Sequence, residues 1–102
     1  MGSMVVVYRK KNYKIYSAGK DGYIVHNSAC EFSGHHSHIK NFHTCTYIID
    51  LCVHKTVPHH LSDYLLESIL RLSNDRCYQR KIEEKLEENK KKKETRRKGN
   101  EF

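Results

Sequence analysis

Several absences narrow this chain before any residue is singled out. No apolar run is long enough to cross a bilayer, and no signal-peptide pattern is present. A cytoplasmic protein without membrane contact is the expectation. No Cys-x-x-Cys and no His-x-x-x-His occurs, so two familiar zinc spacings are missing. Cys30, Cys45, Cys52 and Cys77 fit no small disulfide framework, and in a cytosolic chain free thiols or metal ligands are the commoner state. There is no tryptophan, a single proline and no internal repeat. From Glu87 onwards no apolar residue appears until Phe102, so that stretch is expected to add nothing to a core.

What remains is one domain of 102 residues. Met1-Gly2-Ser3 ahead of Met4 reads as a remnant of cloning. Residues 4–86 are expected to fold as a single α+β domain around one modest core. Residues 87–102 are expected to form a charged helical extension that frays, from Lys90, into a basic disordered tail. The net charge is +7 and is concentrated at the two ends. Lys90 to Phe102 carries seven basic and two acidic residues, leaving +2 for the rest. A second basic group comprises Arg9, Lys10, Lys11, Lys14 and Lys20. Basic patches favour nucleic acid, an anionic membrane or an acidic protein surface.

Met4 to Arg9 is β-branched and aromatic, the composition of a strand. In Tyr13 to Ala18 the residues alternate, with Tyr13, Ile15 and Ser17 on one face and Lys14, Tyr16 and Ala18 on the other. Gly19-Lys20-Asp21-Gly22 predicts a tight turn, and Tyr23 to Asn27 a third strand. Phe32-Ser33-Gly34 predicts a bend, and His35 to Ile39 a short fourth strand or an ordered loop. Cys45, Ile49 and Cys52 recur at helical spacing, predicting a helix over Thr44 to Lys55, capped by Asn41 or Thr44 and stopped by Pro58. A second helix is expected over His59 to Ser73, and a third from Arg76 with a thin stripe of Tyr78, Ile82 and Leu86. The fold expected is a three- or four-stranded antiparallel meander covered by a helical hairpin.

All eight histidines and three of the four cysteines lie between His26 and His60. Cys30, His35, His38 and Cys45 are the candidate zinc ligands, weighed against cysteines buried on an apolar helix stripe and histidines at the surface. Gly34-His35 ahead of a helical Cys45 resembles small cysteine proteases that process ribosomal proteins. That resemblance implies a Cys45 nucleophile with His35 or His36 as base. Cys45 stands here in His-Thr-Cys-Thr-Tyr, not in that family's acidic-apolar-Cys-Ala run. His26-Asn27-Ser28 and His35-His36-Ser37 resemble the His-x-Ser segments of two-histidine phosphoesterases, but stand too close together for the two lobes of that fold.

A sheet followed by a helix can also lay one face in a DNA groove. Lys40-Asn41-Phe42-His43-Thr44 resembles the Lys-Gly-Phe-x-Thr helix opening of sheet-type DNA-binding domains from phage integrases, with Asn in place of Gly and Tyr47 near the usual helix aromatic. The seven tyrosines suit a binding surface, and the small Lys-rich chain is similar in style to phage or mobile-element products that block a host protein. The leading expectation is a non-enzymatic binding protein without a cofactor, contacting nucleic acid or a host protein that handles nucleic acid. Its contacts would be Arg9, Lys11, Lys14, Tyr16, Lys20, the His35, His36 and His38 loop, Lys40, and the tail residues Lys90, Lys91, Lys92, Lys93, Arg96 and Arg97. The alternative is a small hydrolase or zinc-dependent protein using the His35–Cys45 cluster.

Overall fold

The computed structural model describes the backbone of residues 5–99 and the side chains of residues 5–93. The expectations for Met1 to Met4, for the side chains of Arg96 and Arg97, and for the last three residues lie outside it. Four strands, β1 (Val5–Lys10), β2 (Tyr13–Ser17), β3 (Tyr23–Asn27) and β4 (His36–Ile39), form an antiparallel meander in sequence order. Three helices follow: α1 (Phe42–His54), α2 (Asp63–Leu72) and α3 (Arg76–Gly99).

The turns explain why the strands pair in this order. Lys11 takes a left-handed conformation (φ 57°) in the two-residue β1–β2 turn. The Asn12 carbonyl accepts from the Ser28 amide at 2.7 Å and hydroxyl at 2.6 Å, tying that turn to the end of β3. A 3₁₀ turn at Gly19–Asp21 joins β2 to β3. Gly22 (φ 91°) closes it, and a Cβ there would lie 3.0 Å from the Ile39 carbonyl and from Lys40 Cα. Glycine is required at that point because backbone passes so close. A register shift between Val6 and Tyr8 bulges β1.

Strand alternation then divides the sheet into two unlike faces. Tyr13, Ile15, Val25 and Ile39 are buried with Cys45, Ile48, Ile49 and Cys52 of α1 and Leu66, Ile69 and Leu72 of α2. Phe42, at the start of α1, sets its ring edge-on to Tyr8 (6.0 Å) and Tyr23 (5.5 Å). The aromatic of the integrase-like motif therefore packs α1 onto the sheet. Tyr8, Tyr13 and Tyr23 share this side with it, leaving Tyr16 on the other.

Three element boundaries differ from the sequence reading. Helix α1 begins at Phe42 because Asn41, not Thr44, is its cap: Asn41 Oδ1 accepts from the His43 amide (2.8 Å) and the Thr44 amide (3.3 Å). Lys55 (φ 55°) ends it, just ahead of Pro58. Helix α2 begins at Asp63, four residues beyond His59, because the Ser62 hydroxyl caps the Leu65 amide. His59 and His60 precede it, and Leu61 is buried from the connection, not from a helical stripe. Helix α3, capped by Asp75 Oδ1 on the Tyr78 amide (3.0 Å), is continuous through Lys90 and remains helical to Gly99. Tyr78 and Ile82 are buried and Leu86 is packed beside them, as the stripe predicts. Beyond them α3 is pinned to the first turn of α2. Asn89 donates to Asp63 Oδ1 at 2.9 Å, and Lys93 Nζ lies 2.8 Å from Asp63 Oδ2. The Lys93 hydrogen bond, followed by that of Asn89, holds the Asp63 carboxyl below its ordinary range.

Polar groups align the sheet with α2. Asn27, fully buried, donates from Nδ2 to the Leu72 carbonyl (2.9 Å) and accepts the Ala29 amide on Oδ1 (3.0 Å). Ser37 of β4 donates to the Ser68 carbonyl at 3.2 Å. Removing a buried partner leaves the other group unsatisfied, at a cost of roughly 1–3 kcal/mol. Asn27→Ala is therefore expected to lower unfolding stability by about 2 kcal/mol in urea titrations. A loss below about 0.5 kcal/mol contradicts this role.

Candidate binding face of the sheet

The second face of the sheet contributes no residue to the core shared with the helices. Strand register arranges it in two rows. Arg9, Lys14, His26 and His36 run across β1 to β4, and Val6, Tyr16, Ile24 and His38 run beside them. None of these residues is acidic. The segment expected as a histidine loop is in part a strand, and β4 is what carries His36 and His38 onto this face.

The turn before β4 folds back over the rows. Phe32, in the 3₁₀ turn Phe32–Gly34, stacks on His36 with ring centroids 4.5 Å apart and planes 9° from parallel. It also meets His26 at 5.0 Å and stands edge-on to Tyr16 at 6.3 Å. His38 meets His36 edge-on at 5.1 Å. Two histidine bonds fix the turn. His36 Nδ1 donates to the Phe32 carbonyl at 2.6 Å, and His26 Nε2 donates to the Cys30 carbonyl at 3.0 Å. In a neutral ring these bonds place the proton on His36 Nδ1 and on His26 Nε2. His26 Nδ1 is shielded and has no partner among the described residues, as is His35 Nδ1. Phe32 is nevertheless 38% exposed.

Charge divides with the faces. On the helical side and on α3, Lys10 pairs with Asp50 (2.6 Å), Lys55 with Asp75, Lys92 with Glu88 (3.3 Å) and Lys93 with Asp63. The hydrogen bond to Asp50 raises the Lys10 pKa, and the one to Asp75 raises that of Lys55. Arg9 and Lys14 have no carboxylate within ion-pair distance among the described residues.

The remaining expected contacts do not form one patch. Lys20 lies in the β2–β3 turn, and Lys40 follows β4 close to Gly22, at the same end of the sheet. Lys11 lies at the opposite end of β2, about 15 Å away by strand rise. The turns of Lys11 and Lys20 are therefore not neighbours, because a meander places successive turns at opposite ends. Lys11 instead borders a polar cleft with Asn12, Lys55, Ser73, Asn74 and Asp75. Lys90, Lys91, Lys92 and Lys93 lie on α3, and two of the four are engaged in the ion pairs above.

Two of the histidine candidates lie across the sheet from Cys45. Cys45 is fully buried on the helical side of the sheet, whereas His36 and His38 lie on the other. Among the described residues, no three His, Cys, Asp or Glu side chains are placed to hold a metal ion. Burial pushes the Cys45 thiol up to about 11 and the Cys52 thiol up to about 12. Thiols held that high stay protonated at neutral pH and are poor nucleophiles. Both occupy the apolar stripe of α1 as packing residues.

Two residues of this face escaped the sequence reading. Phe32 looked like part of a bend, and His26 like an ordinary strand residue. The signal for His26 was parity: the β2–β3 turn sets it opposite Lys14. Phe32 carried no local signal, since its position depends on the long-range geometry of β4. No protein-family model, curated protein or solved structure matches this chain.

The burial order predicts thiol reactivity. A thiol reagent applied to the folded protein should modify the exposed Cys77 first. Cys45 and Cys52 should react only under unfolding conditions, which peptide mapping would read. Rapid native labelling of Cys45 would contradict the packing assignment and revive a catalytic one.

Proposed function

We propose that this chain is a non-enzymatic binding protein whose uncovered sheet face contacts nucleic acid. The observation that carries this reading is the row of Arg9, Lys14, His26 and His36 beside Tyr16 and His38, free of carboxylates on the strands. Phosphate contacts draw on unpaired Arg and Lys, and aromatic and imidazole rings supply stacking and polar contacts to bases. Lys20 and Lys40 extend the cationic surface at one end of the sheet. The basic residues of α3, Lys90 to Lys93 with Arg96 and Arg97, add nonspecific attraction that falls with salt.

A second reading has a specific observation behind it. Val5 and Val7 of the edge strand β1 are 59% and 45% exposed. An apolar edge offers unpaired backbone to an added strand, which suits a host protein that handles nucleic acid as the partner. A phage or mobile-element origin and a cytoplasmic setting go with either reading.

Fluorescence anisotropy with labelled oligonucleotides across a salt series tests the first reading. Reversing both charges, Arg9→Glu with Lys14→Glu, should weaken binding at least tenfold and flatten the salt slope by about 1.5 to 2. Lys10→Ala, on the helical side, should change the slope little. Unaltered binding by the doubly reversed protein would sink the assignment of this face.

A further inference from the structure

We infer that the nucleic acid taken by this face is single-stranded, with an unpaired base stacked on the ring platform that Phe32 forms with His36. The inference rests on the nucleic-acid reading above and adds to it the class of ligand. Its starting point is an apolar ring that the fold does not bury. Phe32 is 38% exposed, yet it is held in place from two directions. Its ring lies parallel to His36 at 4.5 Å, and its carbonyl accepts the His36 Nδ1 proton at 2.6 Å. Tyr16 and His38 border the pair edge-on. An aromatic ring left partly in solvent and fixed in this way suits stacking with the π-face of a base.

Strand geometry favours an unpaired base over a duplex. In a duplex the π-faces are occupied by neighbouring base pairs, and the grooves show only base edges. A phenylalanine has no donor or acceptor for those edges. In a single strand each base can turn its face to an aromatic ring. The cations sit where a single strand crossing the sheet would need them. Lys14 is two strands from His36 and Arg9 three strands away, about 10 and 14 Å at the spacing of paired strands. A chain laid across the four strands would place one base at the Phe32 end and its phosphates at the β1–β2 end. His26 Nδ1, in the residue that Phe32 meets at 5.0 Å, is shielded and has no hydrogen-bond partner among the described residues.

The test uses the whole chain and two probes, a short labelled single-stranded oligonucleotide and the duplex of the same sequence at the same salt. The wild-type protein should bind the single strand at least tenfold more tightly. Phe32→Ala should weaken single-strand binding roughly tenfold, leaving its salt slope and the duplex affinity unchanged. Phe32→Trp should restore the affinity, and its fluorescence should be quenched by the single strand and not by the duplex. Circular dichroism melting of Phe32→Ala checks that the fold is retained, and the Trp variant carries the test if it is not. Equal or tighter duplex binding would overturn the inference, as would indifference of the single strand to Phe32→Ala, while the nucleic-acid reading stands. Failure of both probes to bind at low salt would overturn that reading and this inference together.

Discussion

Among the described residues the helices meet the sheet from one side only, and the character of both faces follows from that. In a strand, successive side chains point to opposite faces, so a sheet covered once has one face with a core and one without. Ile15 and Val25 are completely buried under α1 and α2. The other face has to reduce its own exposure. Ile24 and His26 are only 7% and 8% exposed although neither belongs to the helical core. Part of the cover of His26 comes from Phe32, which the turn before β4 folds back against it. Cover by one ring of a short turn is a weaker barrier than a helix. It is also the face on which a ligand has least to displace.

The same division sorts polar groups by purpose. On the covered side, polar side chains are spent on alignment: Asn27 and Ser37 hold α2 against the strands, and Lys10 reaches Asp50 on α1. The two cysteines of α1 behave as small apolar residues, and burial keeps their thiols protonated. On the uncovered side, polar and cationic groups face outward without carboxylate partners among the described residues. Lys90 and Lys91 have no carboxylate within ion-pair distance among the described residues, so α3 keeps unpaired charge beside Lys92 and Lys93.

Much of the architecture was legible from local pattern. The alternation in Tyr13 to Ser17 put Lys14 and Tyr16 on one face, and the spacing of Cys45, Ile49 and Cys52 marked the stripe of α1. Both signals depend only on residues close in sequence. The start of α2 was misread because Leu61 is apolar and in phase with Leu65, although Ser62 is the residue that satisfies the helix's free amides. β4 was ambiguous because four residues rich in histidine have little strand character of their own, and pairing with β3 decides their state. The histidine cluster does not lie on one face. Strand parity sends His36 and His38 to one side, while Cys45 is fixed on the other by the helix that covers it. Phe32 was not legible at all, since its stacking partner is set by the register of β4.

The face without helices is the working surface proposed for this protein. Titrating a short single-stranded oligonucleotide into isotope-labelled protein and following backbone and side-chain resonances by NMR tests it most directly. Arg9, Lys14, Tyr16, Phe32, His36 and His38 should shift together in one saturable process, with the surfaces of α1 and α2 unchanged. Shifts confined to the helices, or spread evenly over the basic residues of α3, would contradict the claim.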